Sequence, residues 1–220
     1  MIRRLCLNFS LIAILALTPG ACNLLAQGSP SLPRLTFTKT LKGSSPEYLE
    51  LNIDTSGKGT YDSRKLDDPP EPRPLQISSS TVAQIFSLAE SLGNFRSIDL
   101  NSRHKVANMG LKTLIYQSGS QVNKVQYNYT EIRSAQQLTE LCEKIGNVLE
   151  RISELEYAMK YDPLGLPQIL RQIEEGLDEN EFVDADLMFP ALRKISANSR
   201  YMHLAQTRAQ EIMQRVQEGK

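Results

Sequence analysis

Between Ser134 and Tyr161 the apolar residues Leu138, Leu141, Ile145, Val148, Ile152, Leu155 and Met159 recur at alternating steps of three and four. No other stretch restricts the fold as tightly. The spacing keeps one helical stripe apolar for three heptads, and a helix of that length needs partners along its whole course. Ser134 and Gln137 form a capping-box pair that predicts its start. Asp162-Pro163 predicts its end, because the residue before a proline avoids the helical region. The rod so defined has about 26 residues and is roughly 39 Å long at ~1.5 Å per residue. Gly146 within it costs about 1 kcal/mol relative to alanine.

Upstream of this helix the pattern is that of strands. Leu35, Phe37 and Leu41 alternate with threonines, and Leu49, Leu51 and Ile53 alternate with polar residues. A loop with Gly57 and Gly59 turns the chain, and no helix start follows to make it a phosphate cradle. Asp67 to Pro74 holds four prolines in eight residues and reads as an extended surface connection rather than a strand. Ser78, with Ile77 and Val82 at the staple positions, predicts a helix whose stripe is Val82, Ile85, Phe86, Ala89 and Leu92, stopped by Gly93. Leu111–Gln117 and Val122–Tyr129 then form a hairpin about Ser118-Gly119-Ser120, with Val125, Tyr127 and Tyr129 on one face. Downstream, Pro167 and Pro190 suit first-turn positions of two short helices, and Ser199 to Gln217 is a third.

The fold class expected is α+β: an antiparallel β-sheet with one covering helix, then a long helix and a C-terminal bundle of short helices. The corresponding divisions are 1–26, a signal peptide; 27–133, the sheet domain; 134–161, the connecting helix; and 162–220, the helical module. The seam is expected to be filled from within the chain, giving a monomer.

Arg3 and Arg4 precede an apolar run from Leu5 to Leu17, closed by Thr18-Pro19-Gly20. This is a secretory signal pattern, too short to span a bilayer. Two processing routes stay open: cleavage after Ala26, or lipid attachment at Cys22, although Pro19 stands where a lipoprotein signal usually has leucine. Either makes the protein periplasmic or extracellular, and membrane contact is expected only through the possible anchor at Cys22. Cleavage after Ala26 removes Cys6 and Cys22, so Cys142 has no partner for an intramolecular disulfide and reads as a small buried hydrophobe. Cations and carboxylates are equal at 25 each, and loss of the leader takes only Arg3 and Arg4. That balance argues against a nucleic-acid surface, which needs a basic excess.

Chemistry is sparsely marked. His104 and His203 are the only histidines, and neither has a carboxylate placed by sequence to orient it as a base. No nucleophile elbow, zinc-helix, phosphate-loop or Cys-x-x-Cys pattern occurs. The acidic run from Asp178 to Asp186 has Val183 where a calcium loop needs its glycine and Phe189 where it needs its last glutamate, so it reads as a solvated inter-helix loop. Asn128-Tyr129-Thr130 matches a glycosylation acceptor but falls at a strand end and is read as unmodified. No catalytic, metal or cofactor residue is expected. The polar stretch 101–110, with Arg103, His104 and Lys105, is the candidate partner-binding loop.

The phrases Ser-Ser-Pro-Glu-Tyr (44–48), Gly-Lys-Gly-Thr-Tyr (57–61), Lys-Val-Ala-Asn-Met-Gly-Leu-Lys-Thr (105–113), Tyr-Asn-Tyr-Thr (127–130), Lys-Tyr-Asp-Pro-Leu-Gly-Leu-Pro (160–167) and His-Leu-Ala-Gln-Thr-Arg-Ala (203–209) resemble a family of bacterial exported proteins of unknown function, over the whole mature chain. That resemblance implies export and no activity. Arg34 to Ile145 is also similar, in element order only, to secreted domains such as the emfourin-type protease inhibitors. The expected function is therefore an exported, non-catalytic envelope module that binds another envelope or secreted protein. The alternative is a protease-inhibitor-like domain or a weakly marked hydrolase.

Overall fold

Alternation becomes a sheet because each strand hides one row of side chains and wets the other. The computed structural model describes residues 32–219; the leader, Cys22 and Ala26 lie outside the described residues. Six strands, β1 (Arg34–Thr40), β2 (Tyr48–Asp54), β3 (Lys58–Arg64), β4 (Arg73–Gln76), β5 (Leu111–Ser118) and β6 (Gln121–Tyr127), form one antiparallel sheet in the order β4-β3-β2-β1-β5-β6. Strand β1 is central. Phe37 stands between Leu51 and Leu114, and Leu35 between Ile53 and Tyr116. The opposite face carries Thr36, Thr38, Glu50 and Asn52, all partly exposed.

Helix α1 (Ser79–Ser91) carries the chain from the β4 edge across to β5. The Ser78 hydroxyl accepts the Thr81 N–H as predicted, and Gly93 takes φ 62° just past the end. The long helix α2 (Arg133–Tyr161) has 29 residues. Its length is about 43 Å at a rise of ~1.5 Å per residue. Its start corrects the sequence reading. Ile132 is the cap residue, in extended conformation and with no side-chain cap, so the Ser134–Gln137 box does not form. The turn is closed from outside: Thr130 Oγ1 accepts the Ile132 N–H, and Gln136 Nε2 donates to the Thr130 carbonyl at 2.9 Å. Gly146 has a packing reason that propensity does not reveal. A Cβ there would stand 2.5 Å from Leu49 Cδ2, so glycine lets α2 lie close on β2.

The first half of α2 joins α1 over the sheet in one apolar cluster that includes Leu138, Cys142 and Ile145. Its second half joins α3 (Leu166–Asp178), α4 (Phe189–Ser196) and α5 (His203–Glu218) in another, through Val148 and Leu155. Ile152 packs against both. The seam is thus filled inside the chain. The α+β architecture is as the periodicity implies, with helices alone after Arg133.

Three further details differ from the sequence reading. Arg73–Gln76 is a strand, although the prolines argue against one; Pro74 is tolerated because β4 lies at the sheet edge, where one ladder donor can be missing. The last helix begins at His203, since Asn198 to Tyr201 forms a turn in which the Asn198 carbonyl accepts the Tyr201 N–H. Asp184 is no solvated loop residue. Its carboxylate takes the Ser78 N–H at 2.8 Å and the Thr81 hydroxyl at 2.9 Å. A side chain remote in sequence thereby closes the start of α1.

Candidate functional site

After the core residues Phe95 and Leu100, the stretch from Asn101 to Gly110 that leads into β5 has few apolar residues to bury, so the scaffold must hold it by hydrogen bonds. It is held at both ends. At its start, Asn101 Nδ2 donates to the Gln126 carbonyl at 3.2 Å and the Ser102 N–H to the Tyr129 carbonyl at 2.9 Å. The first of these also occupies part of the exposed edge of β6. At its finish, Asn128 brackets the chain: Nδ2 donates to the Ala107 carbonyl at 2.8 Å, and Oδ1 accepts the Met109 N–H at 2.7 Å.

Lys112 lies beneath. Its Nζ donates to the carbonyls of Met109 at 2.9 Å, Gly110 at 3.4 Å and Asn128 at 3.0 Å. The residue is only 7% exposed. Burial holds its ammonium below the usual lysine range, against the nearby Glu143 carboxylate and with the Lys39 charge. Glu143 is itself paired with Lys39 at 2.8 Å. A neighbouring buried bond joins Tyr127 Oη and Thr139 Oγ1 at 2.6 Å. A lysine with a depressed pKa is a nucleophile or base candidate in general. Here its three ammonium hydrogens have three carbonyl acceptors, so Lys112 is a strut under the loop.

Between these clamps the tip stands free. Arg103, His104 and Lys105 are exposed together, as are Val106 and Met109. Leu111, Tyr129 and Ile132 add exposed apolar surface at the clamped base. Among the described residues, the backbone N–H and C=O of Lys105 and Val106 have no hydrogen-bond partner within the chain. Sequence reasoning found the three charged residues of this loop. It missed Lys112 and Asn128, which hold it; the one trace was a lysine on the core-facing side of a strand, in register with Tyr127.

Among the described residues, Ser102, His104, His203 and Cys142 are not arranged as a hydrolytic triad. Ser102 Oγ donates to Glu131 Oε1 at 2.9 Å, and His104 Nε2 lies 3.8 Å from the same oxygen. In a hydrolytic triad the histidine stands between nucleophile and carboxylate; here the serine hydroxyl donates its hydrogen bond directly to the carboxylate. His203 is exposed, with Nδ1 3.4 Å from Thr207 Oγ1. Cys142 is fully buried, and burial pushes its thiol pKa up, away from a reactive thiolate.

A broad groove of about 1330 Å³ opens between the β1–β2 and β3–β4 connections and the second half of α2. Its walls carry both charge signs, in part paired: Arg64 with Asp62 at 2.9 Å and Arg73 with Glu156 at 3.7 Å. Glu150, raised in pKa by burial, takes the Ser45 hydroxyl at 3.2 Å. No family model matches this chain, and no curated protein matches it.

Proposed function

We propose that the protein is an exported, non-catalytic module of the cell envelope that binds a protein partner through the loop spanning Arg103 to Met109. The observation that carries this reading is the double clamp, Asn128 from the side and Lys112 from below, under a tip with exposed cations and apolar side chains. A loop held at both ends loses little further entropy on binding, and exposed Met and Tyr beside Arg are residue types enriched in interfaces. Export rests on the Arg3-Arg4 and Leu5–Leu17 pattern of the leader. The test is capture from the native envelope with the chain from Gln27 onward as bait, beside a variant carrying Arg103→Ala, Lys105→Ala and Met109→Ser. A protein retained by the first and lost by the second is expected. Equal retention by both would sink the assignment of the loop.

The free backbone at Lys105 and Val106 favours a second reading, a protease-inhibitor-like domain. An extended substrate cleft pairs with such N–H and C=O groups by adding a strand, and a lysine suits a protease that cuts after basic residues. Trypsin with a small chromogenic substrate distinguishes the two readings. Competitive inhibition lost in Lys105→Ala supports the inhibitor, and rapid cleavage after Lys105 with no inhibition removes it.

A further inference from the structure

The helical module is charge-segregated along the chain. Residues 172–186 carry Glu174, Glu175, Asp178, Glu179, Glu181, Asp184 and Asp186 and no Lys or Arg. Residues 187–210 carry Arg193, Lys194, Arg200 and Arg208, with His203, and no Asp or Glu. The role of the cationic part is judged by what lies beside it.

What lies beside it is the far end of α2. The Tyr201 hydroxyl donates to the Met159 carbonyl at 3.2 Å, and Lys160 and Lys194 line one shallow hollow with Asn198, Tyr201 and Glu156, whose carboxylate is paired with Arg73 at 3.7 Å. Arg208 is already used, paired with Glu174 at 3.6 Å and donating to the Pro167 carbonyl at 3.1 Å. Among the described residues, Lys160, Lys194 and Arg200 have no carboxylate within ion-pair distance. The same end exposes large apolar groups. The Tyr157 and Tyr161 rings lie 5.0 Å apart and the residues are 63% and 62% exposed, and Leu164, in the turn after α2, is 78% exposed. Met202 and Leu204, at the start of α5, are exposed too.

Three cations without a carboxylate partner, one of them, Lys160, 4.7 Å over the Tyr161 ring, outnumber the exposed Asp162 here and surround exposed Tyr, Leu and Met, the composition of a surface that rests in a headgroup layer. Tyrosine favours the boundary between water and hydrocarbon, long cations reach phosphates, and aliphatic side chains enter below them. Tyr157, Lys160 and Tyr161 also border the groove under the β1–β2 connection, whereas Leu164, Met202 and Leu204, in a turn and at a helix start, project from the surface. A protruding apolar group needs a matching pocket in a protein partner and none in a fluid bilayer. We propose that this end of the helical module, from Tyr157 to Leu164 with Lys194 and Arg200 to Leu204, docks on an anionic lipid surface. A net charge of −2 on the chain from Gln27 onward, 23 cations against 25 carboxylates, does not oppose this, because at physiological salt charges act over about 8 Å and the facing patch dominates. The contact is independent of the loop at Arg103–Met109 and of any anchor at Cys22.

Co-sedimentation with vesicles tests it, using the chain from Gln27 onward, which lacks the leader and keeps all the described residues within one compact unit. One vesicle set is phosphatidylcholine alone, the other phosphatidylcholine with phosphatidylglycerol. Binding to the mixed vesicles, absent from the neutral ones and weakened by salt, is expected. Lys160→Glu, Lys194→Glu and Arg200→Glu together should weaken it by about a hundredfold or more. Leu164→Ser with Leu204→Ser should weaken it by about tenfold. Lys58→Glu with Lys124→Glu, on the sheet, matches part of the charge change and should bind like the parent. Each variant alters exposed side chains, and thermal unfolding checks that the fold survives. The proposal fails if neither vesicle binds, if both bind equally, if the triple variant binds like the parent, or if the sheet variant loses as much as the triple one.

Discussion

Two polar loops in this chain look alike in sequence and behave oppositely in the fold. The stretch from Asn101 to Gly110 and the stretch from Asp178 to Asp186 are both rich in charge and poor in apolar residues. The first is gripped from outside by Lys112 and Asn128, which direct their hydrogen bonds to its backbone; Asn101 and Ser102 bond outward at its start, and the side chains of Arg103 and Lys105 are left free. The second turns its own carboxylate, Asp184, on the start of α1, while Phe182 fills a space beside Gly176. One loop is held so that it can present side chains; the other is itself a clamp, joining the helical module to the sheet's covering helix. Polarity alone does not separate the two. What separates them is where the principal holding side chain comes from: the scaffold, through Lys112 and Asn128, in the first, and the loop itself, through Asp184, in the second, with Asn147 Nδ2 adding one bond to the Glu181 carbonyl from α2.

The sharpest way to break this contrast is Asp184→Ala. It leaves the Ser78 N–H and the Thr81 hydroxyl, the latter on a 4% exposed residue, without their charged acceptor at a helix start. Bonds to charged groups contribute about 1.5–3 kcal/mol each, so a loss of roughly 3 kcal/mol in denaturant unfolding is expected. An effect below about 0.5 kcal/mol would mean that the 178–186 stretch is solvated after all.

Lys112→Met should cost less, about 2 kcal/mol, because methionine fills the channel while three carbonyls lose a donor. The larger change should be local: amides from Lys105 to Gly110 exchange faster, while those of β1 and β2 do not. Lys112 also gives a pH signature. Its folded pKa is depressed by burial, so in the alkaline window between the folded and unfolded values the unfolded chain binds more protons. The parent should therefore gain stability relative to Lys112→Met as pH rises through that window, and a loss there would reverse the assigned sign. Asn128→Ala removes two neutral bonds and should cost about 1 kcal/mol, again with faster exchange confined to the loop.

The elements that carry these loops were legible and the clamps were not. Alternation marked Leu35 and Phe37, and Leu49, Leu51 and Ile53, as inward rows, and they are buried. The serine before Val82 marked the start of α1, and the three-four spacing marked α2 nearly to its last residue. These signals are local, because burial repeats with the period of the element. Asp184 reaches partners 103 and 106 residues away, and Lys112 reaches Asn128 across the hairpin. No periodicity records which remote backbone group a polar side chain meets. Pro74 misled for the opposite reason: its local meaning is real, but an edge strand has room for it. At the candidate site, therefore, Arg103, His104 and Lys105 could be read directly, and their support could not.

The smallest expected effect is the most discriminating. Arg103→Ala with Lys105→Ala removes two exposed side chains that make no hydrogen bond or ion pair to the scaffold among the described residues. A surface change away from caps, cores and networks stays within about 0.5 kcal/mol. Thermal unfolding should therefore be nearly unchanged, in contrast to Asp184→Ala and Lys112→Met, which act through the same two loops. If the double variant were as destabilised as Asn128→Ala, the tip would be part of the structural framework, and the distinction between a loop that is held and a loop that holds would fail. If stability is kept and capture of the envelope partner is lost, the loop's residues divide cleanly: Lys112 and Asn128 set its shape, and Arg103 and Lys105 meet what it binds.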